Sequence, residues 1–297
     1  MIVVEGPGAP EGFASGVAER LGAELVKPAY KVFPDGESYV RLPGGLEGTV
    51  VVVQSMYPMQ DKRLVEALLL AEAAYGAGAS RVILVAPYMA YARQDKRFLE
   101  GEPISIKAVL KALGSAGYDA LVTIDIHKPE SLAYFPGRAV DATAVPQLAE
   151  AVSRAISGEG GVVVVAPDKG ALARARMMAG ILGAEYDYLE KHRDRYTGEV
   201  TYRPKTVDVQ GKTVVIVDDM VSTGGTMAKA ASMLRGLGAS RVIAACTHGL
   251  FIGGALERLR RAGVEEVYAA NTVPLPKEGV RAVDASPAAV ESLRELL

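Results

Sequence analysis

Residues 212–226, KTVVIVDDMVSTGGT, join an apolar run to two adjacent carboxylates and then to a turn of glycines and small hydroxyl residues. The glycines and hydroxyls of Ser222, Thr223, Gly224, Gly225 and Thr226 let backbone amides close on a phosphate, and a following helix would aim its positive N-terminal end at the same place. Asp218 and Asp219 would then meet sugar hydroxyls, so the ligand class read from these residues is a sugar phosphate. A buried strand followed by a helix capped by Thr226 would also explain the turn. It does not explain two acids at the end of a central strand, where an unpaired buried carboxylate is costly and where open α/β sheets bind their ligands.

Other stretches also place reactive residues where apolar runs end. Residues 87–98, PYMAYARQDKRF, set Arg93, Gln94, Lys96 and Arg97 after the run 82–86, where a polyphosphate needs cations. His127 in VTIDIHKPES and Asp168 in VVVAPDKGA each follow an apolar run. They suit magnesium, which takes one or two protein ligands and completes its shell with phosphate oxygens and water; Asp125 could stand behind them. In residues 189–199, LEKHRDRYTGE, the cations Lys191, Arg193 and Arg195 alternate with His192 and Asp194, so an extended strand would point all three one way. Residues 32–39, VFPDGESY, put an aromatic beside a Pro-Asp-Gly turn with Gly36 at the position needing unusual dihedrals. Alone, that motif reads as a surface turn.

The elements that must position these residues follow from periodicity. Short apolar runs at 50–53, 82–86, 121–126, 162–166, 214–217, 242–245 and 267–270 alternate with helical patterns such as 64–75 and 227–237. That alternation predicts parallel sheets covered by helices on both faces. The chain also repeats itself: residues 48–87 parallel 211–248, down to an identical GASRVI beginning at Gly78 and at Gly238. Where the second copy has Asp218 and Asp219, the first has Gln54 and Ser55. One sugar-binding site per chain is therefore expected, with the first half free for another task. The boundary falls before the amphipathic segment 146–156, giving domains 1–143 and 144–297.

Composition bounds the function classes. A chain of 297 residues predicts two domains, and 49% hydrophobic with 23% charged residues is globular rather than disordered or membrane-embedded. The opening MIVVEGPG lacks the basic and apolar regions of a signal peptide. Cys246 is the single cysteine, so no intrachain disulfide can form and a cytoplasmic location is expected. A net charge of -2 offers no general attraction to nucleic acid or to anionic lipid, and neither is expected as a partner. Asn271 is the only asparagine, a depletion expected of proteins working at high temperature.

The loop 212–226 resembles the phosphoribosyl-diphosphate loop of the type I phosphoribosyltransferase family. With the other stretches, the chain resembles the ribose-phosphate diphosphokinase family over nearly its whole length. The resemblance implies an α/β fold of two duplicated type I phosphoribosyltransferase-like domains, each a mainly parallel sheet flanked by helices, with the final helix a candidate to pack on the N-terminal one. It implies transfer of the diphosphoryl group of ATP to the 1-hydroxyl of ribose 5-phosphate, with AMP released. Asp218 and Asp219 would hold the ribose 2- and 3-hydroxyls, and residues 222–226 the 5-phosphate. Many relatives carry Asp or Thr where this chain has Ser222, whose hydroxyl can still donate.

The same resemblance assigns the remaining residues. Phe33 would stack on adenine while Asp35 and Glu37, around Gly36, accept from its exocyclic amine. That loop would reach over from a neighbouring subunit, implying a homo-oligomer, a dimer or larger, with a shared ATP site. Arg93, Gln94 and His127 would contact ATP, His127 and Asp168 would hold Mg2+, and Lys191 and Arg193 would close over the reacting phosphates. No general base is evident. A phosphoribosyltransferase would keep the Asp218 loop without needing the 33–37 and 93–94 elements. A non-catalytic regulatory homologue would have lost the loop cations or His127, and a sensing module that only binds phosphoribosyl diphosphate is a third alternative.

Overall fold

Runs of valine, isoleucine and leucine that are buried on both faces form the central strands of parallel sheets, and the χ1 stiffness of the β-branched valines and isoleucines means little of their rotamer freedom is lost on ordering. Residues 50–53, 82–86, 163–166, 214–217 and 242–245 are all at 0% exposure, and each lies in such a strand. The computed structural model describes residues 1–193, 200–204 and 207–297, with the backbone alone for 191–193 and 200–203. It divides into two compact units, the first of residues 1–143, 271–274 and 284–297, the second of 144–270 and 275–283.

The first unit runs β1 (Ile2–Glu5), α1 (Phe13–Leu21), β2 (Glu24–Val26), β3 (Ala29–Val32), β4 (Ser38–Arg41), β5 (Gly48–Val53), α2 (Gln60–Gly76), β6 (Ala79–Ala86), α3 (Ser105–Ser115), β7 (Ala120–Ile124) and β8 (Arg138–Ala142). Its six-stranded sheet has the order β2-β1-β5-β6-β7-β8 and is parallel throughout. β3 and β4 form a separate antiparallel ribbon.

The second unit runs α4 (Val145–Ala155), β9 (Val162–Ala166), α5 (Leu172–Leu182), β10 (Glu185–Arg193), β11 (Val200–Pro204), β12 (Thr213–Val221), α6 (Gly225–Gly236), β13 (Arg241–Gly249), α7 (Ala255–Arg261), β14 (Glu266–Ala270) and β15 (Arg281–Val283), and the chain closes with α8 (Ser286–Leu296). Its sheet has the order β11-β10-β9-β12-β13-β14-β15, parallel except for the pair β10–β11.

Matching β1, β2, β5, β6, β7 and β8 to β9, β10, β12, β13, β14 and β15 superimposes one strand order on the other, which is the topology of a duplicated unit. The helix following the last sheet strand does not stay with its own sheet. α4, after β8, belongs to the second unit, where it packs on α5 and β14. α8, after β15, belongs to the first, where it packs on α1, β7 and β8. Both helices open on a proline in the first turn, where the missing amide hydrogen is not needed.

Candidate active site

In each sheet the chain adds β2 or β10 on one side of the first strand and then crosses to the other side. The crevice where strand order reverses is the ligand position of open α/β sheets. In the second unit it lies between β9 and β12, which pair from Thr213↔Val162 to Ile216↔Val165. Asp168 follows β9, and Asp218 and Asp219 lie near the carboxyl end of β12. The strand runs past them to Val221, so the acid pair is within β12 rather than beyond it.

The turn after β12 is shaped from one side by three consecutive carbonyls. Val221 O accepts from Leu250 N at 3.0 Å and Phe251 N at 3.1 Å, Ser222 O from Ile252 N at 3.0 Å, and Thr223 O from Arg258 Nη1. Because the carbonyl and amide of one peptide point in opposite directions, the amides of Ser222, Thr223 and Gly224 are turned away from this bracing segment. Gly224, at φ 74°, is the N-cap of α6, and no side chain caps that helix. Thr226, expected as the cap, stands inside the first turn instead, because the left-handed Gly224 lets the helix begin two residues earlier. Uncapped first-turn amides at the start of a twelve-residue helix form an anion-binding end. A cavity of about 380 Å3 opens there, lined among others by Asp168, Thr223, Gly225, Thr226 and Lys229.

The carboxylates in this crevice act on one another. The Asp218 carboxyl is pushed up to about 7 by burial, with the charges of Asp219 and Asp168 adding to the rise against a hydrogen bond from the Asp219 backbone. Asp219 is buried at 6% exposure, and its amide donates to Asp218 Oδ1 at 2.9 Å. Asp168 is exposed, and its Oδ1 accepts from Gly170 N at 2.7 Å, closing the turn that precedes α5. Among the described residues no group of three or more His, Cys, Asp or Glu side chains is arranged to hold a metal. A hard cation would relieve the repulsion that Asp168 exerts on Asp218, and so sparse an oxygen donor set fits magnesium, which keeps water and phosphate oxygens as ligands.

The matching crevice of the first unit, between β1 and β5, is filled by protein. Gln54 Oε1, at the position of Asp218, accepts from Gly8 N at 2.8 Å. A Cβ on Gly6 would fall 2.3 Å from Gln54 Oε1, so the glycine is what allows the amide to enter. The Ser55 hydroxyl, at the position of Asp219, donates to Thr272 O at 2.7 Å and is fully buried.

The other predicted residues of the first unit stand on three separate connections. Phe33, Asp35, Gly36 and Glu37 form the turn of the β3–β4 ribbon, closed by Phe33 N to Glu37 O at 2.8 Å, with Gly36 at φ 99°. Phe33 is 38% exposed, and its ring meets Tyr39 edge to face at 6.0 Å and has Lys31 Nζ 4.6 Å from its centre. Arg93 and Gln94 follow β6. Glu102 orders that connection, its Oε2 accepting from Phe98 N at 2.7 Å and from Leu99 N at 3.0 Å, and Arg93 is exposed. His127 follows β7 in a turn held by Asp141, which accepts from Ile126 N at 3.0 Å and from the Thr123 hydroxyl at 2.7 Å. Asp125 there has φ 44° and accepts from the Thr143 hydroxyl at 2.8 Å.

Lys191 and Arg193 occupy alternate positions of β10, opposite Tyr202 and Val200. Their side chains, and the whole of Arg195, lie outside the described residues. The structure thus gathers Asp168, Asp218, Asp219 and the turn 222–226 in one crevice, and keeps the first-unit residues on their own connections. Sequence reading missed Lys229, although it lies one helical turn after Thr226 on the face that reaches the cavity. It also missed Arg258, whose bond to the Thr223 carbonyl depends on a fold-level approach of α7.

Residues 1–117 match the family model described as the N-terminal domain of ribose phosphate pyrophosphokinase, and residues 141–284 that of the phosphoribosyl transferase domain. The chain is 49% identical over 278 residues to a ribose-phosphate pyrophosphokinase of Methanopyrus kandleri, covering 93% of this chain and 94% of the relative. It is 51% identical over 256 residues to the enzyme of the same name from Pyrococcus furiosus, covering 86% and 88%. The crystal structure of phosphoribosylpyrophosphate synthetase from Mycobacterium smegmatis aligns with a TM-score of 0.87 at 31% identity, covering 99% of this chain and 98% of the other.

Proposed function

The chain belongs to the ribose-phosphate pyrophosphokinase family, and from that premise we propose how its residues carry out the synthesis of 5-phosphoribosyl 1-diphosphate from ATP and ribose 5-phosphate. Both sheets are of the type I phosphoribosyltransferase kind, flanked by helices. The observation that carries the assignment is the crevice of the second unit, where the uncapped start of α6 and Asp168 line one cavity, beside Asp218 and Asp219. Ribose 5-phosphate belongs there. Ser222, Thr223, Gly224, Gly225 and Thr226 take its phosphate, and Asp218 and Asp219 accept from the ribose hydroxyls, fixing the 1-hydroxyl as nucleophile. The first-unit crevice, filled by Gln54, takes no sugar.

ATP is assigned to Arg93, Gln94 and His127, and its adenine to Phe33, Asp35, Gly36 and Glu37 of a neighbouring subunit, which makes the enzyme a homo-oligomer, a dimer or larger. The 1-hydroxyl attacks the β-phosphorus in line, the bridging oxygen departs with AMP, and the diphosphoryl group stays on the sugar. Phosphoryl transfer of this kind needs positioning and charge neutralisation more than covalent help. Lys191 and Arg193 supply positive charge to the oxygens on which negative charge develops. Asp168 and His127 are the residues that would hold Mg2+, which when bound would offset part of the phosphate charge. No described helix is long and apolar enough to cross a membrane; with one cysteine in the chain, we place the enzyme in the cytoplasm.

The test is AMP formation from ATP, dependent on ribose 5-phosphate and on a divalent cation. Phosphoribosyl transfer to a base without AMP formation would point to a transferase, and ligand binding without turnover to a regulatory homologue.

A further inference from the structure

Glu66, on α2 in the first unit, has no exposure to solvent, yet its carboxylate has no part in the reaction as assigned above. Its Oε1 accepts from the Tyr30 hydroxyl at 2.7 Å and from the Ser38 hydroxyl at 2.8 Å. Its Oε2 accepts from Arg63 Nη1 at 2.7 Å and from Gln54 Nε2 at 3.4 Å. Burial acts to raise this carboxyl, but Arg63, Tyr30 and Ser38 outweigh it and hold the group below its ordinary value, so it is ionised at neutral pH. A buried charge is tolerable only while its partners stay in place. Two of those partners sit on opposite arms of the β3–β4 ribbon, Tyr30 on β3 and Ser38 on β4.

We propose that Glu66 is a positioning residue for the nucleotide: its buried carboxylate clamps both arms of the β3–β4 ribbon to α2 and so sets where Phe33, Asp35 and Glu37 are presented. The inference rests on the assignment of that loop to adenine. An isolated two-stranded ribbon is marginal in water, and among the described residues these strands pair only with each other. All four residues of β3 are exposed, so apolar burial along that arm does little to hold it. Tyr30 pairs with Val40 and Val32 with Ser38 in the ribbon register, so the two tie points lie on different rungs and resist both a swing and a twist. Gln54 contributes from the filled crevice: it stands where the second unit has a sugar-binding acid, and its amide now reaches Gly8, Arg63 O and Glu66. The first unit has thus turned its sugar position into a support for the nucleotide loop.

Glu66→Gln keeps the shape and removes the charge, while Tyr30→Phe removes one tie and leaves the buried charge with its other partners. In Glu66→Gln the KM for ATP is expected to rise about tenfold, and in Tyr30→Phe about threefold, with kcat and the KM for ribose 5-phosphate moving by less than about twofold. Hydrogen exchange of the amides in residues 30–41 reads the clamp without nucleotide, and it should quicken in both variants. Unchanged exchange in both variants overturns the clamp. Parallel losses in kcat and in both KM values overturn the positioning role, since they mark general damage to the unit. If Glu66→Gln does not fold, Tyr30→Phe alone decides between these outcomes. Phe33→Ala separates the two readings: if it leaves the KM for ATP unaltered while exchange still quickens in Glu66→Gln, the adenine assignment fails, and the role for nucleotide with it, although the clamp stands.

Discussion

The Asp219 amide donates to Asp218 Oδ1 at 2.9 Å, so the backbone of one acid partly offsets the repulsion that its own side chain exerts on the other. The offset is incomplete, because burial and the charges of Asp219 and Asp168 still raise the Asp218 carboxyl from 3.8 to about 7. In the folded, ligand-free enzyme this group keeps its proton over a range where the unfolded chain has lost it. Its contribution to stability is therefore fully present below about pH 4 and is lost as pH rises towards 7, with a limiting slope of about 1.4 kcal/mol per pH unit. Asp218→Asn should flatten that dependence, raising the Tm of the ligand-free protein at pH 8 and leaving it nearly unchanged at pH 4, while abolishing most of the activity. Thermal melts across this range without divalent cation test it; equal slopes in the two proteins would show that Asp218 is not the titrating group.

Gly224 should not tolerate a side chain. At φ 74° an L-residue is strained, and a Cβ there would lie 3.3 Å from the Ala255 Cβ. Gly224→Ala is expected to destabilise by more than about 1 kcal/mol and to raise the KM for ribose 5-phosphate, since the turn that aims the α6 amides would shift. Calorimetry with steady-state kinetics checks both, and an unaltered KM would detach the turn from phosphate binding.

Lys229 lines the same cavity as Thr223 and Thr226. If the phosphate of ribose 5-phosphate is held there as proposed, this exposed cation should contribute modestly, so Lys229→Met is expected to raise the KM for ribose 5-phosphate by about three- to tenfold, with the effect shrinking as salt rises. An effect on the KM for ATP instead would place the lysine elsewhere in the reaction.

Removing the loop cations should spare ground-state binding and damage turnover. Lys191→Ala is expected to lower kcat by about 10²- to 10³-fold while ATP affinity, read by equilibrium binding, changes little. Comparable losses in both quantities would argue against a contact made late in the reaction.

Oligomerisation has its own test. If residues 33–37 serve a neighbour's nucleotide, mixing inactive Asp218→Ala chains with inactive Phe33→Ala/Glu37→Ala chains should restore part of the activity, because some mixed sites carry neither defect. Subunit exchange is promoted by heating and verified by mass. Absence of recovery after verified exchange would assign the loop to its own chain.

The sequence by itself determined what short-range physics can write: valine runs that can only be central strands, the Asp218–Asp219 pair followed by a small-residue turn, and a repeat whose first copy had exchanged its acids for Gln54 and Ser55. Those signals are local, so residue type and spacing carry them without the rest of the chain. Tertiary structure decided everything that depends on which elements meet. It set Gly224 rather than Thr226 at the start of α6, because the turn is drawn back by carbonyl bonds to residues 250–258. It also buried Glu66 beneath the β3–β4 ribbon. On paper that glutamate is one more acid three residues after Arg63 on a helix, as solvated surfaces carry many; its meaning comes from Tyr30 and Ser38, which are distant in sequence and are brought to it only by the fold.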